Sequence, residues 1–414
     1  METAYHNFQN KIGPDAWTRL LARLGEVNGH IREAGLRPLQ TLHPNLSGVG
    51  AELLTGYSYG EFYDWDLYFE NIYLSYYGIY RYCRNNLEEF LNRQLECGFV
   101  ARTLLEPRLR QHFKPFLAQI AVLGCRQTGN YNWLKWKYYE RLKKYLDYWF
   151  WYCDFDRNGL PVWDSADHSG MDNQVSRAGA LFSQTVEGVD LACYLLRELQ
   201  AMDALAEILG CEADQKEFEA HAAVLSEQIN RTFWHEEDGF YYDRHERRGE
   251  LLRVKSAAGF TPLWAGAATP EQAKRLVEEH LHNADEFWLS YPVATYAKTE
   301  PDYYQERREG ECNWRGACWI PTNYMVFHGL RRYGFDALAK ELAYRTFEMA
   351  LNEETTREYY NAETGVGQGL NPFWGWSTLA YLMPLEFEMG YNPTDLHAPI
   401  RAIVTEELGL NFEA

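Results

Sequence analysis

Apolar residues recur at i, i+3, i+4 and i+7 along most of this chain, the period of amphipathic helices. Segments near 15–27, 67–97, 114–125, 132–153, 187–209, 215–233, 270–282, 321–333, 336–352, 374–389 and 398–408 carry the pattern. Within Val189–Leu199, positions 189, 192, 195, 196 and 199 form one apolar stripe, and Arg197 and Glu198 fall off it. Alternation of the strand type is sparse, clearest in Gly239–Asp243 and Arg357–Tyr360.

The helical segments end in polar turns with glycine: Asp154–Leu160, Glu236–Phe240 and, more loosely, Asn361–Gly365. Asn, Asp and Gly there supply the positive φ and side-chain turn bonds that tight reversals need. Helices joined this way predict hairpins repeated around a ring or along a solenoid, and periodicity alone does not separate the two. No Pro/Ser-rich linker divides the chain, so one domain over 1–414 is expected.

Composition narrows the function classes. Of 414 residues, 46% are hydrophobic, enough for a sizeable core. Forty basic against 59 acidic residues leave a formal charge of −19, which argues against nucleic-acid partners and an anionic membrane surface. No apolar run approaches the ~18 residues of a membrane helix. Met1–Trp17 lacks the apolar stretch of a signal peptide. The eight cysteines form no CxxC pair and no zinc spacing, and most sit in apolar patterns. Buried free thiols in a reducing cytoplasm are expected.

The chemistry concentrates between the helices. Gly60–Glu70, Trp163–Gln174, Asn313–Pro321 and Arg357–Ser377 are each dense in Trp, Tyr, Asp or Glu. A pyranose stacks its apolar face on aromatic rings and hydrogen-bonds its hydroxyls to planar polar side chains. Two carboxylates across one glycosidic bond can then act as acid and base. Interhelix packing competes for the tryptophans, and helix capping for Asp66 and Asp172. His168 stands four residues before Asp172, where it could tune that acid, bind substrate or serve the fold. There is no GxSxG, P-loop, GxGxxG before a helix, or HExxH.

Four motifs in order resemble the inverting α-glycosidases of glycoside hydrolase family 63 and, more distantly, the family 37 trehalases. They are Tyr63-Asp64-Trp65-Asp66-Leu67-Tyr68-Phe69; Ser169-Gly170-Met171-Asp172-Asn173; Trp314-Arg315-Gly316-Ala317-Cys318-Trp319; and Glu358-Tyr359-Tyr360-Asn361 with Gly365-Val366-Gly367 and Trp374-Gly375-Trp376-Ser377. The resemblance spans Tyr59 to Ser377. It implies an (α/α)6 barrel with its site at one mouth, and an exo-acting inverting hydrolysis needing no cofactor. It further implies Asp172 as general acid, Glu358 as general base and Asp66 holding sugar hydroxyls. Tyr59, Tyr63, Trp65, Gln119, Trp163, His168, Trp319 and Trp374 would bind substrate, with Arg315 as a polar clamp. The length is similar to that of compact bacterial members acting on mannosylglycerate or glucosylglycerate. Here Asp167 and His168 precede the Ser-Gly-Met-Asp motif where relatives often carry an aromatic residue and Glu, and Gln174 replaces a small residue.

Three readings remain open from these residues. The first is an α-glycosidase on a small α-glucoside or α-mannoside, trehalose included. The second is a sugar 2-epimerase on the same scaffold, which would be expected to use paired histidines. The third is a sugar-binding protein without turnover. The expected partner is a small carbohydrate, with the oligomeric state open.

Overall fold

A computed structural model describes residues 2–35, 53–54, 61–105, 107, 110–178, 186–308, 310, 312–406 and 408–410. Its helices are α1 Glu2–Gly35, α2 Asp64–Tyr76, α3 Arg81–Asn92, α4 Leu117–Thr128, α5 Tyr139–Tyr152, α6 Ala166–Ser169, α7 Val175–Ala178, α8 Val189–Leu209 and α9 Glu212–Phe233. They continue as α10 Thr261–Ala265, α11 Pro270–Arg275, α12 Ile320–Arg332, α13 Asp336–Asn352, α14 Leu379–Met389 and α15 Ile403–Glu406. A tight helical turn, Ala257–Phe260, leads into α10, and another, Trp376–Thr378, into α14.

Six of these helices form a closed inner ring among the described residues. Helix α2 packs on α4, α4 on α8, α8 on α10, α10 on α12, α12 on α14, and α14 returns to α2. The closure settles ring against solenoid. The outer layer is α1, α3, α5, α9, α11 and α13, making an (α/α)6 barrel. Burial explains the sorting. All of α2 is buried, and it is mostly apolar around its circumference, as a helix enclosed on every side must be. Outer helix α9 buries Phe218, Leu225, Ile229 and Phe233, one stripe on an otherwise polar cylinder.

The sequence pattern needs three corrections. The stretch 67–97 is two helices, reversed through Tyr77–Tyr80, where Gly78 takes φ +69°. Only Ile403–Glu406 of 398–408 is helical. The inner segment Ala257–Ala265 was not anticipated: buried throughout, it shows no amphipathic stripe, and its Gly and Pro break the pattern.

Short antiparallel strands occupy the loops: β1 Val186–Glu187, β2 Trp234–His235, β3 Phe240–Tyr241, β4 Asp243–His245, β5 Leu251–Leu252, β6 Tyr359–Tyr360 and β7 Gly367–Gln368. Strand β4 lies between β1 and β5, β2 pairs β3, and β6 pairs β7 with Tyr359 opposite Gln368. Buried charge braces one mouth of the ring. The Arg177 guanidinium bridges Asp190 at 2.7 Å and Asp243 at 3.1 Å, all nearly inaccessible. Among the described residues no helix is long and apolar enough to cross a membrane, and no group of three or more His, Cys, Asp or Glu is placed to hold a metal ion.

Candidate active site

The motif-bearing loops converge where the inner helices begin. Asp64 and Asp66 lie in the first turn of α2, Trp319 is the residue before α12, and Trp376 opens the turn into α14. Together they surround a cavity of about 240 Å³ lined by Tyr63, Trp65, Asp66, Asp172, Trp319 and Glu358, with Arg102, Asp167, Gly170, Cys312, Trp314 and Trp376 completing its wall.

One wall is aromatic. Trp314 stacks on Trp319 with centroids 3.9 Å apart, and Trp319 stacks on Tyr359 at 4.5 Å. Trp65 lies 5.9 Å from Trp314, and Trp376 5.8 Å from Trp319. The flat rings leave an apolar surface beside the carboxylates.

The carboxylates are held by backbone. Glu358 precedes β6, and its Oε2 accepts the Leu370 N–H at 2.8 Å across the β6–β7 hairpin. Gly369 permits this approach: at φ +73°, a Cβ there would stand 2.4 Å from that oxygen. Asp172 projects into the open cleft, reached by solvent on one side. Its loop is pinned by the Trp-Arg-Gly motif. Asn173 Oδ1 accepts the Trp314 N–H at 2.9 Å, and Arg315 Nε donates to the Asn173 carbonyl at 2.6 Å. Gly170, at φ +82°, lets this loop pass over Trp65, 2.8 Å from where a Cβ would be.

Electrostatics hold these acids above the ordinary carboxylate range. Burial pushes Asp172 up to about 6; Arg102 and Lys114 pull it down and the Asp167 carboxylate pushes it up. Burial also brings Glu358 to about 6, opposed by the Leu370 N–H and assisted by Asp172. Asp66, enclosed beneath the cavity, rises to about 7 despite Lys114 and Arg102. Asp64 behaves oppositely. Burial alone would raise it, but the Lys114 ammonium 2.8 Å away and the Arg102 guanidinium outweigh that and lower it. Two acids two residues apart thus separate because one owns the cation.

Several expected substrate residues lie elsewhere. Gln119 is inside the barrel, donating to the Pro115 carbonyl at 2.9 Å and to Glu198. Trp163 is fully buried, its Nε1 donating to Asp190 at 3.0 Å. His168 stacks on Trp149 and pairs with Asp164 at 2.9 Å, beneath the Asp172 loop. Arg315 holds backbone at the Asn173 carbonyl. Trp374 stacks on His30 of α1, and Trp376 takes the cavity position. Tyr59 lies outside the described residues. Burial decides these cases: fixed spacing places a motif's ends, and packing decides which aromatic faces the opening. Trp314 and Trp376 stood inside quoted motifs and were legible as candidates. Arg102 carried no signal, because its partners Asp64 and Asp167 meet it only in space.

The ring carries a carboxylate- and tryptophan-lined cleft at one mouth, the architecture of the (α/α)6-barrel class. The family model described as "Mannosylglycerate hydrolase MGH1-like glycoside hydrolase domain" matches residues 59–377, and the chain belongs to that family. It is 35% identical over 193 residues to the mannosylglycerate hydrolase of Thermus thermophilus, covering 46% of this chain and 43% of that protein. It is 34% identical over 129 residues to the cytosolic neutral trehalase of Kluyveromyces lactis, covering 31% of this chain and 17% of that protein. The matches thus span less than half the length of either relative. A solved family 63 mannosylglycerate hydrolase, also from Thermus thermophilus and in complex with glucose, superposes with a TM-score of 0.68 at 24% identity, covering 84% of this chain and 99% of that one. The neutral trehalase of Saccharomyces cerevisiae does so at 0.61 and 18%, covering 84% and 76%. These likenesses show the shared fold.

Proposed function

We propose that this chain, as one domain over 1–414, hydrolyses a small α-glucoside or α-mannoside with inversion at the anomeric carbon. The carrying observation is that Asp172 and Glu358 face one small cavity beside a tryptophan wall. Its volume of about 240 Å³ is below the roughly 300–1,000 Å³ typical of drug-sized ligands, which favours a small glycoside. The names of the relatives, mannosylglycerate hydrolase and trehalase, favour the same substrate class. Asp172, protonated because it is partly desolvated, donates its proton to the glycosidic oxygen. Glu358, ionised, takes a proton from a water molecule, which attacks the anomeric carbon from the opposite face. Asp66 holds sugar hydroxyls, and Trp65, Trp314 and Trp319 flank the ring. Inverting enzymes keep these carboxyls about 6.5–9.5 Å apart to admit that water. The epimerase reading loses support because His168, the histidine nearest the motif acids in sequence, is turned into the protein.

Proton NMR of the anomeric signal, from time zero, tests the proposal on α-disaccharides, glucosylglycerate and mannosylglycerate. Early release of the β-anomer, abolished in Asp172→Asn and Glu358→Gln, is expected. Early α-anomer would overturn the role of Glu358. No hydrolysis of any compound would overturn the substrate class.

A further inference from the structure

A second cavity, of about 570 Å³, lies at the opposite end of the ring. Arg331 and Arg332 come from the last turn of α12, Trp264 from the end of α10, and Arg197, Gln200 and Asp203 from the middle and latter half of α8. The segment after α14 closes it with Asn392, Thr394, Asp395 and His397. Nothing in the proposed hydrolysis uses these residues.

The guanidinium groups are distinctive. Among the described residues, none of Arg197, Arg331 and Arg332 has a carboxylate within 4.0 Å, although many arginines of this acidic chain are ion-paired. The helix dipole accounts for cations at the end of α12. It does not account for Arg197, which is mid-helix and only 3% exposed. Arg197 lies over the Trp264 ring at 5.1 Å, donates to Gln200 at 3.3 Å and to the Thr394 carbonyl, and leaves its Nε unpartnered. Burial and the nearby Arg332 charge lower its pKa, against the Tyr68 hydroxyl, which hydrogen-bonds it, and the Asp395 carboxylate, both of which raise it. The three rim aspartates are engaged locally. Asp395 accepts the His397 N–H at 2.8 Å, Asp203 bonds Gln215, and Asp336 sits in the first turn of α13, where the helix dipole favours it.

A buried guanidinium with an unpartnered Nε and no carboxylate in contact, beside a second arginine at the wall of an open cavity, is a site that gains from an oxyanion. We infer that this second mouth binds a small phosphate-bearing anion, either free phosphate or a phosphate monoester, through Arg197, Arg332 and Arg331. The inference is independent of the proposed hydrolysis.

Calorimetric titration of the full chain with inorganic phosphate and with glycerol phosphate, at matched ionic strength in chloride, tests it. Saturable binding weakened tenfold or more in Arg332→Gln, with hydrolysis rates unchanged, is expected. Tighter binding of the monoester would support the same site, with room used beyond the phosphate. Arg332 is exposed at a helix end, so this variant keeps the fold even where Arg197→Gln does not. No saturable binding of either compound would overturn the inference. So would binding of equal strength in Arg332→Gln and Arg331→Gln, which would place the anion elsewhere.

Discussion

Arg315 Nε donates to the Asn173 carbonyl at 2.6 Å, so a motif 142 residues downstream holds the residue next to Asp172. The Trp314 N–H and the Tyr304 hydroxyl meet the side chain of the same asparagine at 2.9 Å each. In the proposed mechanism Arg315 is a positioning residue, holding the loop that carries Asp172. Arg315→Lys retains the charge and loses the directed Nε–H. Under the proposed mechanism kcat is expected to fall by about 10²-fold, the scale of a 1 Å misplacement. KM and thermal stability should change little. Steady-state kinetics and a melting curve check this; a rise confined to KM would instead indicate direct substrate contact.

The pH profile follows from the two raised acids. The proposed mechanism needs Glu358 ionised and Asp172 protonated, and each is brought to about 6. Below that value Glu358 takes up a proton and the base is lost. Above it Asp172 releases its proton and the acid is lost. A bell centred near pH 6 is expected for kcat/KM, with two apparent values belonging to the pair. Asp167→Asn removes a like charge from Asp172 and leaves Arg102 less neutralised. Both effects stabilise the Asp172 carboxylate, so the alkaline limb should move to lower pH. A shift to higher pH would contradict this account.

Gly369→Ala should separate function from folding. Its Cβ would stand 2.4 Å from Glu358 Oε2, at a φ of +73° that costs a side-chain-bearing residue about 1–2 kcal/mol. The carboxylate must move, so activity should drop by at least tenfold while far-UV circular dichroism remains that of the parent. Unchanged kcat/KM would remove Glu358 from the reaction.

The Arg177 bridge makes a stability prediction. Arg177→Met leaves Asp190 and Asp243 buried without their cation, a loss of about 3–5 kcal/mol. Denaturant unfolding measures it. Burial already raises Asp190, and the variant removes the Arg177 charge that opposes it, so the variant should lose stability as pH rises above about 4. The deficit against the parent should therefore shrink towards acid pH.

The chain's own pattern determined much of this protein. Helical periodicity produced paired helices, because a helix with one apolar stripe must bury it against another. The motifs around Asp66, Asp172, Trp319 and Glu358 marked loops rich in sugar-binding chemistry, since Trp beside carboxylate is conspicuous even in one dimension. What periodicity could not show was closure of the ring: each hairpin meets only its neighbours, and the packing of α14 against α2 joins the two ends of the sequence. It also missed Ala257–Ala265, because a stretch so short, interrupted by Gly259 and Pro262, is not long enough to establish a period. The site was finished in three dimensions. Asp64 and Asp66 are indistinguishable as letters, and Lys114, fifty residues beyond Asp64, decides which one is held ionised. Trp374 and Trp376 are likewise equivalent in the motif, and packing turned the first towards His30 and the second to the cavity. Motif spacing sets which side chains come close. The direction each one faces, and the charge it meets there, depends on contacts between residues far apart in sequence.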